Sequence, residues 1–218
     1  MTPDGNPAEV KIGAPGLDGL LGVPDDARGI VIFAHGSGSG RLSPRNGRVA
    51  AALRSAGLAT LLLDLLTPAE ERDRRNVFDI GLLASRLAMA TEWVAERKRT
   101  AELVPGYFGA STGAAAALRA AALPGSRVGA VVSRGGRPDL AVDVLPLVRA
   151  PTLLLVGSLD GPVIDFNRRA FEALRTVKEL VIVEGAGHLF EEPGALDEVV
   201  RRARDWFLEH LAGTPNAR

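Results

Sequence analysis

The chain has 218 residues, 46% apolar and 24% charged, enough for a packed core and outside the range of disordered chains. Lys and Arg total 26, as do Asp and Glu, so there is no basic footprint for nucleic acid or an anionic membrane surface. Cysteine is absent, which removes disulfides, thiolate zinc sites and any cysteine nucleophile.

The opening residues, MTPDGNPAEVKIGAPGLDG, lack the basic-then-apolar order of a signal peptide, and no apolar run reaches the roughly 18 residues of a membrane span. One cytoplasmic domain over 1–218 is expected, with its core at about 29–212. Val10 to Leu21 is expected to add antiparallel edge strands. Apolar runs of strand length then alternate with helix-length segments. GIVIFAHG (29–36) precedes a helix from about Pro44 to Ala56, and ATLLLDLL (59–66) follows it. An amphipathic stretch over 77–97 leads into AELVPGYFGA (101–110), and a helix over 112–122 follows. RVGAVVSRGG (127–136), APTLLLVGSLD (150–160) and KELVIVEGAGH (178–188) complete the strands, with helices expected over 139–148, 163–176 and 194–212.

These strands are apolar throughout, as strands covered on both faces are. Such alternation predicts an α/β fold with a mostly parallel central sheet and helices on both faces. Ligands of such sheets bind beyond the carboxyl ends of the strands. Those ends carry His35-Gly36-Ser37-Gly38-Ser39-Gly40, then Asp64, then Gly109-Ala110-Ser111-Thr112-Gly113, then Ser133-Arg134-Gly135-Gly136-Arg137, then Ser158-Leu159-Asp160, and last Gly185-Ala186-Gly187-His188. Serine, aspartate and histidine thus converge on one edge, in the order Ser, Asp, His.

The residue types fit nucleophilic catalysis. A serine hydroxyl needs a base near neutrality, imidazole supplies one, and a carboxylate fixes the imidazole tautomer. Glycines around Ser111 permit a sharp strand-to-helix turn, and the alanines after it let the helix lie close to the sheet. An oxyanion needs preorganised donors. The Thr112 N–H is expected to be one and the Ser37 N–H the other, with Gly36 as second choice; His35 is expected to brace the loop. Asp165 and Asp139 are fallback acids, and His210, near the end of the last helix, reads as structural.

On these residues the chain resembles the dienelactone-hydrolase-like α/β-hydrolases over roughly Gly29 to Ala212. The matching stretches are His35-Gly36-Ser37, Gly109-Ala110-Ser111-Thr112-Gly113, Asp160 in VGSLDGPV and His188 in GAGHLF. The resemblance implies a Ser111–His188–Asp160 triad acting on an ester or similar acyl bond, with no metal or cofactor. It departs in one respect: dienelactone hydrolases proper use cysteine, and Ser111 stands here, which points to a serine esterase. Only Leu65 to Asp79, a charged stretch, could form a lid.

Arg41, Arg45, Arg134 and Arg137 are placed to face the mouth of such a site, where guanidinium groups would suit a carboxylate or phosphate on the substrate. The bland alternative is surface arginine in an arginine-rich chain. HGSGSG lacks the lysine of a phosphate loop and the GxGxxG helix start, so nucleotide binding is not expected. The expected partner is a small-molecule ester, with no nucleic acid and no membrane; a homodimer is compatible with the sequence. Thioesterase, lactonase, peptidase and acyltransferase chemistry would use the same residues, and a silent binding protein on the same fold is the rival from another class.

Overall fold

The β-branched and leucine-rich runs fold into one eight-stranded sheet in the computed structural model, which describes residues 6–211. The strands are β1 (Ala8–Ile12), β2 (Leu17–Gly22), β3 (Ile30–Ala34), β4 (Ala59–Leu63), β5 (Pro105–Ala110), β6 (Ala130–Arg134), β7 (Thr152–Gly157) and β8 (Lys178–Val183). Their spatial order is β1-β2-β4-β3-β5-β6-β7-β8. β3 through β8 run parallel, while β1 and β2 form the antiparallel edge expected of Val10 to Leu21.

Every residue of β3 to β7 is buried, as covering on both faces requires. β8 follows Lys178-Glu179 with an apolar run but is only half-buried, because it closes the sheet and has a neighbour on one side alone. Helix α1 (Pro44–Ser55) lies on one face, where Val49 and Leu53 meet Phe33 and Phe108. The helix α4 (Ile80–Ala95) and the alanine-rich α5 (Thr112–Ala121) lie on the other, with α6 (Gly161–Ala173) beside them.

Helix α7 (Ala195–Leu211) shares the α1 face and packs on β5, β6 and β7. Its last turn sits against three glycines at the starts of neighbouring strands. A Cβ on Gly29, Gly106 or Gly129 would come within 2.7, 2.9 or 3.0 Å of the Leu211 side chain. Residue 212, where the sequence places the end of this helix, lies outside the described residues.

One expectation is corrected. The segment 139–148 is not a helix but two 3₁₀ turns, Pro138–Ala141 and Leu145–Leu147. Pro146 has no N–H to donate and its ring would clash with the carbonyl four residues back, so an α-helix cannot run through it. The charged segment 65–79, the candidate lid, folds into α2 (Pro68–Glu71) and α3 (Arg74–Val77). Thr67 and Glu70 close a capping box on α2, and the Thr67 N–H donated to the Glu70 carboxylate holds its pKa below the usual glutamate range. No helix among the described residues is long and apolar enough to cross a membrane.

Candidate active site

Ser111 stands where β5 gives way to α5, with φ 51° and ψ −121°. A non-glycine residue adopts such a conformation only when its surroundings enforce it. Here the Ser111 N–H donates to the Arg134 carbonyl (3.2 Å), and its own carbonyl accepts from the Arg137 and Ala114 N–H groups (3.0 and 3.1 Å). The end of β6 therefore clamps the turn. The Ser111 side chain makes no capping bond to its helix, which leaves the hydroxyl to the cavity it faces.

The glycines are steric necessities. A Cβ on Gly113 would lie 2.2 Å from the Ala34 carbonyl oxygen, and one on Gly109 would lie 2.4 Å from Ala114 Cα. Both obstacles are backbone and cannot swing away. Gly113→Ala is expected to destabilise the fold by about 1–3 kcal/mol through overpacking, readable as a lower midpoint in urea; an unchanged midpoint would show that α5 can lift from β3 at no cost.

Asp160 and His188 follow β7 and β8. Their contact is direct, His188 Nδ1 to Asp160 Oδ2 at 2.6 Å. A carboxylate can only accept, so Nδ1 carries the proton and Nε2 presents its lone pair. Asp160 begins α6 but makes no side-chain cap to it; its carboxylate is spent on the imidazole, mostly buried behind it (12% exposed, against 39% for His188). The fallback acids are occupied elsewhere: Asp165 faces Arg168, and Asp139 is forked to Arg137. Phe190, two residues beyond His188, is buried at φ 56° and closes this loop. Nothing in the sequence singles it out, because an aromatic residue rarely takes a positive φ.

Ser111 and His188 line one cavity of about 670 Å³, together with Ser37, Arg41, Arg45 and Arg134. A second cavity of about 590 Å³ adjoins it, shares Ser37, Gly38 and Glu71, and is bordered by Arg72, Arg74 and Phe78. The segment carrying α2 and α3 therefore forms part of the rim.

The expected oxyanion donors divide. Thr112 is the first helical residue, so its N–H has no acceptor within the helix. The Ser37 N–H, expected to be open, donates to Thr112 Oγ1 at 3.0 Å. That correction arises from a side chain 75 residues away in sequence, which a linear motif cannot reveal. His35 braces the loop as expected: Nε2 accepts from the Leu65 N–H at 3.1 Å, so Nδ1 bears the proton and faces the Gly36 carbonyl at 3.0 Å. His210 packs edge-on against Trp206 far from this cavity's lining.

The arginines also divide. Arg41 is fixed by Asp64, through its N–H (2.6 Å) and its guanidinium. Arg45 pairs with Glu191, and Arg137 with Asp139. Arg41 and Arg45 both line the cavity, and local carboxylates hold each of them. Arg134 differs. It is 7% exposed, burial pushes its pKa down to about 10 with the charge of Arg45 adding to the effect, and its Nε and Nη1 have no hydrogen-bond partner among the described residues.

No family model matches the chain. It is similar to a crystal structure of dienelactone hydrolase from Anabaena variabilis, at 56% identity over 94% of this chain and 99% of that one, with TM-score 0.90. Est1E from Butyrivibrio proteoclasticus shares the fold at TM-score 0.79 and 14% identity, covering 94% of this chain and 98% of that one. Two Mycobacterium tuberculosis proteins bearing the name "Putative phosphoribosyl transferase" are 58% identical over 205 residues, 94% of this chain. The chain spans about half the length of those curated relatives (46%).

Proposed function

The chain belongs to the dienelactone-hydrolase-like α/β-hydrolases; from that premise we propose that it is a hydrolase, a serine carboxylesterase acting through an acyl-enzyme. One observation carries the reading: the Asp160–His188 bond of 2.6 Å stands beside a strained, uncapped Ser111 over a shared cavity. In this mechanism Ser111 Oγ attacks the ester carbonyl while His188 Nε2 takes its proton. The imidazolium that forms is stabilised by Asp160 and returns the proton to the leaving alkoxide. Water then attacks the acyl-serine by the same route, regenerating Ser111 and releasing the acid.

The tetrahedral oxyanion takes the Thr112 N–H and, by displacing the Thr112 hydroxyl, the Ser37 N–H. The Thr112 N–H is already free at the helix start, whereas the Ser37 N–H must first release Thr112 Oγ1. With serine in place of the cysteine of dienelactone hydrolases proper, the acyl-enzyme is an oxygen ester.

A fluorophosphonate probe tests the nucleophile. A single covalent adduct on the Ser111 peptide is expected by mass spectrometry, and a protein that stays unlabelled would refute the reading.

A further inference from the structure

A lone charge buried without a partner is costly, and proteins pair such charges or place them where a ligand will. Among the cavity's charged lining groups, Arg41 is neutralised by Asp64 and Arg45 by Glu191, while Glu71 lies toward the second cavity. Among the described residues, Arg134 has neither a carboxylate partner nor an acceptor for two of its nitrogens. Its nearest aromatic neighbour, Phe108, lies at 6.0 Å and is a weak substitute. Arg45, whose Nε is also buried and unpaired, adds repulsion instead of relief.

The position is as informative as the charge. β5 and β6 pair Ala110 with Arg134, so this side chain rises one strand away from the residue preceding Ser111. The Arg134 carbonyl meanwhile holds the Ser111 N–H. A register fixed by the sheet thus brings Arg134 up beside the Ser111 turn, and it is the one buried residue among the charged groups that line the cavity. The open mouth is where a leaving group departs to water; the buried end is where an acyl group stays.

We propose that Arg134 is the recognition site for an anionic oxyacid group, carboxylate or phosphate, carried on the acyl portion of the substrate. The assignment of that end rests on the serine-esterase reading above; the anion site itself does not. A planar guanidinium forks onto either group through two parallel N–H bonds. Binding then supplies the counter-charge that the free protein lacks, and it seats the acyl carbonyl against Ser111.

The experiment compares 4-nitrophenyl butyrate with two isosteric anionic esters, mono-4-nitrophenyl succinate and 4-nitrophenyl 3-phosphonopropanoate. The protein should favour one of the anionic esters in kcat/KM by about tenfold or more, and Arg134→Gln should erase that ratio, since a site built for a polar group discriminates strongly. Whichever anionic ester gains more identifies carboxylate or phosphate. Arg134→Lys, which keeps the charge and loses the fork, should retain part of the preference. Titration of Ser111→Ala with succinate and with 3-phosphonopropanoate separates the two readings. Binding that vanishes in the Ser111→Ala/Arg134→Gln double variant upholds the anion site even if no ester is hydrolysed. Hydrolysis without an anionic preference and without diacid binding overturns the anion site and leaves the esterase standing. Thermal unfolding guards against a structural role. Removing an unpaired buried charge should leave Tm unchanged or raise it by about 2–4 °C; a fall of that size would make Arg134 structural and overturn the proposal.

Discussion

Ser111→Ala is expected to lower kcat for 4-nitrophenyl acetate by about 10⁴-fold or more, with circular dichroism and Tm little changed. The size follows from the role: without Oγ no acyl-enzyme forms, and the remaining donors can only assist attack by water. The fold should tolerate the change because the Ser111 side chain caps nothing, and the turn is held by backbone bonds to Arg134 and Arg137 that alanine keeps. Alanine accepts the positive φ no worse than serine does. A variant that retains a tenth of the activity would place the nucleophile elsewhere.

Asp160→Asn should lower kcat by a comparable factor, about 10⁴-fold. Asparagine is nearly isosteric, so the 2.6 Å contact with His188 Nδ1 survives in form. Its chemistry is inverted when the amide NH₂ donates to Nδ1, because the imidazole proton then sits on Nε2 and blocks attack by Ser111. The negative charge that stabilises the imidazolium is lost as well. Stopped-flow measurement of acylation in the variant checks this. A loss below tenfold would mean that another group orients His188, and none of the fallback carboxylates is free to do so: Asp139 and Asp165 already face Arg137 and Arg168.

The sheet and the site edge were legible in the sequence because five strands are apolar on both faces and each ends in a short polar or glycine-rich run. Helix–strand alternation left few topologies once right-handed crossovers are required. Illegible parts have local physical reasons. Pro146 breaks a segment whose apolar spacing alone reads as helix. The capping box at Thr67 and Glu70 was in plain view in TPAE, yet a four-residue helix gives periodicity no room to register. Arg41, Arg45 and Arg134 look alike in sequence, and only the fold shows which of them meets a carboxylate. The hydroxyl of Thr112 occupies the donor expected at Ser37 through a contact between strand ends far apart in the chain.

The seat of Leu211 on Gly29, Gly106 and Gly129 has a consequence for how the site comes apart. These glycines open three neighbouring strands, β3, β5 and β6, two of which end in the HGSGSG loop and the Ser111 turn. Helix α7 in turn follows the His188 loop after only a few residues. Lifting its last turn uncovers the floor of those strands, and unravelling the whole helix frees the segment that carries His188. Opening of α7 is therefore expected to disturb the site before β1, β2 and β4 lose their pairing, and amide hydrogen exchange faster in α7 than in those strands would show it.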